Sequence, residues 1–293
     1  MKVAITGARG FAGSHLGRAA RDLDYPIHEI NRDAWDISET PSTQFIDSLM
    51  RFEPDVIFHL AALSKRSDCG ETNPNQQATA VNIRGTHQLI SLVKECLPNA
   101  RVVFASSSYV YGPVFDTTPV SERAPCNPQC GYGKSKLQAE QLIADAVEDG
   151  LDAVIVRAFQ HSGPGQQPRL ILPEWIRKLQ QGSKVDVFNL QSYFDLSDVR
   201  DVVRAYLTLA EHGKTGAIYN VGSGKALCSG DLFDEICRHL TIDQNNLTVN
   251  VQNPGERFSP IADVTRIMEA TGWSPAIPLE LTISDTIAAI TSS

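Results

Sequence analysis

The sequence predicts an α/β fold: an open, doubly wound parallel sheet with a smaller α/β part toward the C-terminus. Short apolar runs rich in Val and Ile, such as Lys2–Thr6 and Asp55–Ala62, alternate with longer segments of helical character. This alternation is typical of βαβ units, whose strands are buried on both faces. A glycine-rich turn, residues 7–13, directly follows the first strand, where such sheets bind phosphates.

The composition is that of an ordinary globular protein and argues against several classes of partner. The chain has 293 residues, 42% hydrophobic and 20% charged, enough for one large α/β domain or two unequal ones. Its net charge is -8 and no run of Lys and Arg stands out, so neither nucleic acid nor a membrane surface is expected as the main partner. The start of the chain is too short for a signal sequence and no apolar run approaches a membrane span, so a cytoplasmic protein is expected.

The cysteines do not predict a metal site. Six of them lie at positions 69, 96, 126, 130, 228 and 237, without CxxC spacing. Free thiols are expected in the cytoplasm, with Cys126 and Cys130 as a weak metal or redox candidate, and no metal is predicted.

The first βα unit predicts a dinucleotide site. Its glycines allow a tight turn, close approach of the backbone to a pyrophosphate, and close packing of a helix that should run to about Leu23. A structural turn would also explain a glycine triplet, but its position after the first strand favours dinucleotide binding. The predicted contacts in this turn are Gly7, Arg9, Gly10, Phe11, Ala12 and Gly13.

The end of the second strand, Ile27–Ile30, bears on which dinucleotide binds. NAD-specific folds place a carboxylate there for the ribose hydroxyls, whereas this chain has Asn31 and Arg32. An arginine suits a 2′-phosphate, so NADP(H) is favoured and NAD(H) is possible, although Arg32 could be a solvated loop charge. Asp36 and Ile37, expected at the end of a short third strand, could meet the adenine.

The apolar strand at 55–62 and the long helix after it continue the alternation. A helix from about Ser42 to Phe52 precedes that strand, and a helix from about Gln76 to Cys96 follows it. His59, inside the strand, is expected to be a hydrogen-bonded core residue. Leu60, Ala61 and Ala62, at the strand tip, are predicted cofactor contacts.

Three serines, Ser106–Ser108, follow the strand Arg101–Ala105. Open parallel sheets bind ligands at the C-terminal tips of their strands. One of these hydroxyls could therefore hold a substrate carbonyl, although turn formation alone would also explain the serines.

Tyr132 and Lys136 are four residues apart in a segment that predicts a helix, which puts the phenol and the ammonium on one face. A cation beside a phenol favours phenolate, so the pKa of Tyr132 is expected to fall from about 10 toward the working pH. The hydroxyl could then exchange a proton with a substrate oxygen. Such pairs also occur by chance on solvated helices, and the glycine turn and serine tip supply the context that favours catalysis.

The second half predicts a return to the main sheet. After a sixth strand, Ala153–Arg157, the Gly-Pro-Gly segment at 163–165 indicates a crossing between domains. Helices are expected at 170–181, 198–212, 231–240 and 263–270, and strands at 184–188, 216–221 and 247–251, of which 216–221 rejoins the main sheet. Residues 1–160 plus about 195–222 are predicted to form a dinucleotide-binding domain, and about 161–194 plus 223–293 a substrate-binding domain.

Together these motifs resemble the extended short-chain dehydrogenase/reductases that act on nucleotide sugars (the NAD-dependent epimerase/dehydratase family), over nearly the whole length. The resemblance implies a Rossmann-type domain. Within the family, residues 159–166 and 213–216 are most similar to GDP-4-keto-6-deoxy-D-mannose reductases, which make GDP-D-rhamnose. The matching segments are Thr6–Gly13, His59–Ala62, Asn82–Thr86, Ser106–Gly112, Tyr132 with Lys136, Asp198–Asp201, Tyr219–Val221 and Thr271–Trp273.

The resemblance implies an NAD(P)-dependent oxidoreductase in which Tyr132 is the general acid. Lys136 would bind the cofactor ribose and lower the pKa of Tyr132, while Ser107 would hydrogen-bond the reacting oxygen. Hydride would pass from the nicotinamide to the ketone of a 4-keto-6-deoxy nucleotide sugar as Tyr132 delivers a proton. A homodimer is implied, paired through the helix at 76–96 and the helix of Tyr132. Further implied contacts are Phe159 for the cofactor and Ser64, Ser108, Gln160 and Arg169 for the substrate.

Several departures from the family pattern bear on the activity. Family dehydratases need acidic residues where this chain has Ser108 and Tyr109, so a reductase is favoured over a dehydratase. Two arginines that clamp the substrate diphosphate in the family are Phe194 and Asn253 here, and the family's asparagine is Gln160. The cations that could substitute are Arg169, Lys184 and Arg257. The alternatives are a 4-epimerase with tightly held NAD and a non-catalytic cofactor-binding protein.

Overall fold

A parallel six-stranded sheet forms the centre of the computed structural model, which describes residues 1–182 and 184–292. The strands of three or more residues are β1 (Val3–Thr6), β2 (Ile27–Ile30), β3 (Val56–His59), β4 (Arg101–Ser107), β5 (Ala153–Ala158), β6 (Lys184–Val187), β7 (Ser192–Asp195), β8 (Ile218–Val221), β9 (Ala226–Cys228) and β10 (Thr248–Val251). In the central sheet the order is β8-β5-β4-β3-β1-β2, and every neighbouring pair is parallel. The strand order reverses direction between β1 and β3, and ligands of such sheets bind at the carboxyl ends beside this point.

Helices cover both faces of this sheet and build most of the C-terminal part. They are α1 (Phe11–Asp22), α2 (Thr43–Phe52), α3 (Gln76–Ala78, Thr79–Arg84 and Gly85–Cys96), α4 (Gly131–Glu148), α5 (Ile171–Gln181), α6 (Val199–His212), α7 (Ser229–His239), α8 (Thr265–Thr271) and α9 (Leu279–Thr291). Short 3₁₀ turns lie at Arg66–Asp68, Ser108–Val110 and Gln244–Asn246. None of the helices in the described part of the chain is long and apolar enough to cross a membrane.

Side-chain caps fix several helix starts close to their predicted positions. The Ser42 hydroxyl accepts a hydrogen bond from the Phe45 amide at the start of α2, and Asp198 accepts one from the Arg200 amide at the start of α6. The predicted strand at 216–221 does rejoin the main sheet, as the edge strand β8. Helix α9 and strands β7 and β9 were not predicted.

The short third strand expected before Asp36 is absent, and that prediction was wrong. The amides of Ala34 and Trp35 both bond to the carbonyl of Asn31, and the Asp36 carboxylate accepts bonds from the amide and hydroxyl of Ser38, at 3.1 and 2.7 Å. Asp and Asn side chains favour such local turns because they satisfy backbone groups that a strand would pair elsewhere.

Apolar clusters lie on both faces of the central sheet and in the C-terminal part. One face packs α1 and α6 against residues such as Val3 and Val156, and the other packs α2, α3 and α4 against residues such as Ile57 and Phe104. A third cluster joins α5, α7 and α9 with β6 and β7. Ile267 of α8 and Trp273 lie in the cluster with α1 and α6, so part of the C-terminal segment packs on the central sheet. Within the substrate-binding domain predicted from the sequence, Ser183 and Ser293 lie outside the described residues.

Asp195 of β7 joins the C-terminal part to the central sheet. Its carboxylate accepts hydrogen bonds from the amides of Ser223 at 2.7 Å and Gly224 at 2.9 Å, just after β8. The same carboxylate accepts a bond from the Ala262 amide at 3.1 Å. Because Asp195 is 1% exposed, each of these bonds replaces hydration that the carboxylate has lost.

Candidate active site

The three residues predicted to be catalytic meet where β4 ends beside the first turns of α4. Helix α4 begins at Gly131, and the Sγ of Cys130 accepts a hydrogen bond from the Gly133 amide at 3.4 Å. Tyr132 therefore lies in the first turn and Lys136 in the second, and both side chains are buried. The Ser107 side chain is hydrogen-bonded to the phenol of Tyr132.

The pKa of Tyr132 is raised, so the expected shift toward phenolate was wrong. Burial disfavours the charged phenolate, and this outweighs the opposing hydrogen bond with Ser107. The ring of Tyr109 packs edge-on against Tyr132 at 5.6 Å between centroids and adds to that burial. A phenol that keeps its proton is the form that a general acid requires.

Lys136 points at the backbone of β4. Its Nζ donates a hydrogen bond to the carbonyl of Ala105 at 2.7 Å and lies 5.0 Å from the centroid of the Phe104 ring. Burial lowers the pKa of Lys136 to about 8, although Glu140 and Cys69 oppose that fall. Lys136 should therefore be only partly protonated near pH 8.

The glycine turn brings β1, α1 and the tip of β3 into close contact. Gly7 has a φ of +70°, and a Cβ there would lie 2.9 Å from the Ala61 amide nitrogen. A Cβ on Gly13 would lie 2.2 Å from the Gly7 carbonyl oxygen. At the start of α1, Gly10 supplies no side-chain cap for the first amides, which leaves them for an anion. These features fit a dinucleotide pyrophosphate.

A cavity of about 220 Å³ opens at the carboxyl ends of β1, β2 and β3. Several predicted cofactor contacts line it, namely Gly7, Arg32, Asp36, Ile37, Ala61 and Ala62. Further lining residues were not predicted as contacts: Thr6, Ile30, Trp35, Leu63, Gln77 and Val81. The signal for Trp35 was present in the sequence, because a large apolar ring within a polar turn needs a pocket wall to cover it.

Arg32 and Asp36 are paired at this cavity. The Arg32 Nε lies 2.7 Å from Asp36 Oδ2, and the Arg32 side chain is 77% exposed. The hydrogen bond from Ser38 is the main cause that lowers the pKa of Asp36, and Arg32 contributes to the same shift. Arg9 forms a similar exposed pair with Asp33 at 2.9 Å. Positively and negatively charged side chains therefore both lie near the mouth of the cavity.

Other predicted cofactor contacts differ in how they are placed. The Leu60 amide bonds to Thr6 Oγ1 at 3.1 Å, which holds the tip of β3 against β1. The Phe11 ring is half-buried and stacks on His161 at 6.0 Å, next to the half-buried Ala12. The Phe159 side chain is 2% exposed and packs in an apolar cluster with Tyr111. Its amide donates to the Val221 carbonyl at 2.8 Å, and its carbonyl lies 2.9 Å from Nδ1 of His161, so this predicted contact is occupied within the fold.

The predicted substrate contacts are not equally well placed. Ser108 is buried beside Ser107, and the Gln160 carbonyl is taken by the Ser197 amide at 3.0 Å. Ser64 and Arg169 are exposed, and neither side chain has a hydrogen bond or ion pair within residues 1–182 and 184–292.

Asn82, which was not predicted as a site residue, links the tip of β3 to α4. It lies in the π-helical segment Thr79–Arg84 of α3, and such segments are frequent at functional sites. Its amide accepts a bond from the Leu63 amide at 2.8 Å and donates to the Leu63 carbonyl at 3.0 Å and to Ser135 Oγ at 2.9 Å. Ser135 in turn donates to the Tyr132 carbonyl at 2.7 Å, so Asn82 supports the turn that carries the phenol.

His59 is a core residue, as predicted. Its ring nitrogens lie 2.8 Å from Thr6 Oγ1 and 3.0 Å from Thr86 Oγ1. Burial lowers the pKa of His59 to about 3.

The described residues include no group of three His, Cys, Asp or Glu side chains placed to hold a metal.

The two positions where arginines were expected have local structural roles. Phe194 is 4% exposed in the C-terminal apolar cluster, and the Asn253 carbonyl accepts a bond from the Asn189 side chain. The Arg257 guanidinium lies 5.3 Å from the centroid of the half-exposed Phe188 ring. Arg257, one of the three cations named from the sequence, therefore stacks on an aromatic ring.

Known proteins match the chain over most of its length. A model of the NAD dependent epimerase/dehydratase family matches residues 3–222. The chain is 29% identical to GDP-6-deoxy-D-mannose reductase of Pseudomonas aeruginosa, over 98% of this chain and 95% of that protein. It is also 29% identical to human dTDP-D-glucose 4,6-dehydratase, over 98% of this chain and 89% of that protein.

A solved structure confirms the predicted fold class. The structure of RMD from Pseudomonas aeruginosa complexed with NADPH superimposes with a TM-score of 0.87 and 25% sequence identity. The match covers 100% of this chain and 99% of that one. The resemblance seen in the sequence motifs is confirmed as well.

Proposed function

Because the chain belongs to the NAD dependent epimerase/dehydratase family and is thus an NAD(P)-dependent oxidoreductase, we propose that it is a reductase. Its substrate would be a 4-keto-6-deoxy nucleotide sugar of the GDP-4-keto-6-deoxy-mannose type. The observation that carries the proposal is the contact between Tyr132, Ser107 and the end of β4, with Lys136 one helical turn away.

The proton chemistry follows from this arrangement. Tyr132 keeps its proton because burial raises its pKa, so the phenol can deliver that proton to a ketone oxygen. Ser107 would hydrogen-bond the same oxygen as negative charge develops on it. When bound, the reduced nicotinamide supplies the hydride. Lys136 would hold the cofactor ribose and stabilise the phenolate left after proton transfer.

A reductase fits better than a dehydratase because an elimination needs a carboxylate near the sugar. The residues that follow Ser107 are Ser108 and Tyr109, and neither can take a proton from carbon at neutral pH. The similarity to GDP-6-deoxy-D-mannose reductase supports the same choice. The equal identity to a dehydratase makes the site residues, rather than overall similarity, the deciding criterion.

For the cofactor we favour NADPH. Arg32 is exposed at the mouth of the cavity and could exchange part of its pairing with Asp36 for a 2′-phosphate. For the substrate diphosphate, Arg257 is the cation we favour in place of the missing arginines, because it is exposed and stacked on Phe188.

The test is NADPH oxidation with GDP-4-keto-6-deoxy-mannose as substrate. We expect turnover by the unaltered protein and a loss of about 100-fold or more in kcat for Tyr132→Phe. Tyr25→Phe is the matched control, since within residues 1–182 and 184–292 that phenol bonds only to Glu211 at the surface, and it should retain full activity. Equal rates for Tyr132→Phe and the unaltered protein would refute the reductase.

A 4-epimerase is the second candidate, and one observation favours it. Asp36 is a carboxylate on the cavity wall, and carboxylates bind the ribose hydroxyls of NAD. An epimerase would retain its NAD through purification, so release of stoichiometric NAD on denaturation would reverse the ranking. Binding of NADPH without turnover of any keto sugar would instead support a non-catalytic protein.

We also propose a homodimer paired through α3 and α4, as the family resemblance implies. Light scattering coupled to size exclusion should then give twice the 32.0 kDa mass of the chain. A mass equal to one chain at micromolar concentration would contradict the dimer. A cytoplasmic location stays a prediction from the sequence.

A further inference from the structure

Helix α4 places three side chains at successive turns against the end of β4. Tyr132 bonds to Ser107, Lys136 donates to the carbonyl of Ala105, and Glu140 accepts a short hydrogen bond from the hydroxyl of Ser106. The spacing of four residues keeps all three on one helix face. The third member, Glu140, has no role in the proton and hydride chemistry described above.

Glu140 is a buried carboxylate with a complete set of partners. It is 4% exposed, and the guanidinium of Arg157 on β5 lies 2.7 Å from Oε2 through one nitrogen and 3.0 Å from Oε1 through another. Arg157 is the register partner of Ser106, so the ion pair connects α4 to two adjacent strands. Arg157 also lies 4.9 Å from the centroid of the Tyr111 ring. Burying such a pair costs solvation energy, and apolar residues of similar volume often stabilise a fold equally well.

We propose that Glu140 is a positioning residue for the reaction, whose carboxylate keeps the Lys136 ammonium charged and holds the serine-bearing end of β4 against α4. Arg157 tunes this effect, because it neutralises part of the carboxylate charge that Lys136 experiences. The inference rests on the proposed function, in which the charged Lys136 holds the cofactor beside Tyr132.

The electrostatic surroundings of Lys136 support this role. Three titratable groups lie near its ammonium: Glu140 on the same helix, the neutral His59 on β3 and the thiol of Cys69 in the loop after β3. Strand β4 contributes the Phe104 ring and the Ala105 carbonyl, which are uncharged. Burial pulls the pKa of Lys136 down to about 8, and Glu140 is the main cause that opposes this fall. Without the carboxylate, the pKa of Lys136 would drop further, both from the lost attraction and from the cation left on Arg157.

The two partners should therefore have opposite effects on Lys136. Glu140→Gln keeps the size and a hydrogen-bonding amide but leaves the Arg157 cation, so the titration of Lys136 should move to lower pH by about one unit. Arg157→Gln leaves an unpaired carboxylate, so the titration should move to higher pH. The double variant restores a neutral pair, and its titration should return close to that of the unaltered protein.

The titration is measured by NMR on protein with ¹³Cε-labelled lysine, with Lys136→Met used to assign the signal. This readout needs no sugar substrate, so it succeeds or fails independently of whether the reductase activity is found. NADPH affinity gives a second readout. At pH 8, Glu140→Gln should bind NADPH about 5-fold more weakly than the unaltered protein, and the difference should vanish near pH 6.

Three results would overturn the proposal. They are unchanged Lys136 midpoints, shifts of the same sign in both single variants, and a pH-independent loss of NADPH affinity. A purely structural ion pair would lower the unfolding temperature of both single variants without opposite shifts. Where Glu140→Gln does not fold, the upward shift in Arg157→Gln and its reversal in the double variant decide the question.

Discussion

At the scale of single residues, the exposed pair of Arg32 and Asp36 is predicted to control which dinucleotide the protein prefers. Arg32→Ala should weaken NADPH binding about 10-fold or more, because a guanidinium forms a charge-assisted bond to phosphate, and should leave NADH binding nearly unchanged. Fluorescence titration with both cofactors measures this. Arg51→Ala, on the exposed face of α2, is the control and should bind both cofactors normally. An equal loss for NADPH and NADH in Arg32→Ala would show that Arg32 does not read the 2′-phosphate.

His59 should make the fold sensitive to acid. Its pKa is about 3 in the folded protein, against about 6.5 for a free imidazole, so between these values the unfolded chain binds a proton that the folded chain does not. Unfolding free energy should therefore fall as pH falls from 6.5 toward 3, by up to about 1.4 kcal/mol per pH unit from this residue. Urea unfolding at several pH values measures the slope.

The matched variants separate His59 from the other titrating groups. His59→Leu should be less stable at neutral pH because it leaves Thr6 and Thr86 without their shared partner, yet its stability should depend less on pH. His212→Leu, at the exposed end of α6, should keep the full slope. Parallel curves for His59→Leu and the unaltered protein would show that His59 does not carry the effect.

At the scale of elements, two glycines of α1 provide a comparison within one helix. A Cβ on Gly13 would meet the Gly7 carbonyl at 2.2 Å, whereas a Cβ on Gly17 would meet only the flexible Arg21 side chain at 3.6 Å. Gly13→Ala should therefore push α1 away from the turn and abolish NADPH binding. Gly17→Ala should bind NADPH normally and gain about 0.5 to 1 kcal/mol in unfolding free energy. Normal NADPH binding by Gly13→Ala would refute the close-packing account of the turn.

Elements were predictable from the sequence where their signals are local. Helices α2 and α6 begin at Ser42 and Asp198 because those side chains cap amides two or three residues away. Helix α9 was missed because it begins after Pro278 without a side-chain cap and carries few charged residues. Strand β7 was missed because it exists through pairing with β9 and the two-residue strand Arg257–Phe258, which are distant in sequence.

The sequence predicted which residues form the candidate site better than it predicted their protonation states. Tyr132 and Lys136 were named from their spacing and Ser107 from the family resemblance, and the fold brings them to one strand end. Asn82 could not be assigned its role, because its partners Leu63 and Ser135 come from other elements. The raised pKa of Tyr132 depends on burial by several segments, which helical spacing does not reveal.

At the scale of the whole molecule, Asp195 is predicted to hold the C-terminal part on the central sheet. Asp195→Asn should lower the unfolding free energy by about 1 to 3 kcal/mol, because the amide nitrogen would face backbone N–H donors. Asp186→Asn is the control, since among the described residues that exposed carboxylate bonds only to Asn250, and it should change stability by less than about 0.5 kcal/mol. Urea unfolding of both variants measures the difference, and equal losses would contradict a joining role for Asp195.

The sequence by itself determined the six strands of the central sheet and the helices between them, the glycine turn and the tyrosine and lysine pair. These follow from periodicity and turn chemistry within a few residues, which each segment carries wherever it lies in the fold. Only the tertiary structure decided that Arg32 pairs with Asp36, that burial keeps the proton on Tyr132, and that Glu140 and Arg157 form a buried ion pair one helical turn from Lys136. Desolvation and ion pairing depend on which distant segments exclude water from a group, and that is set by packing rather than by local sequence.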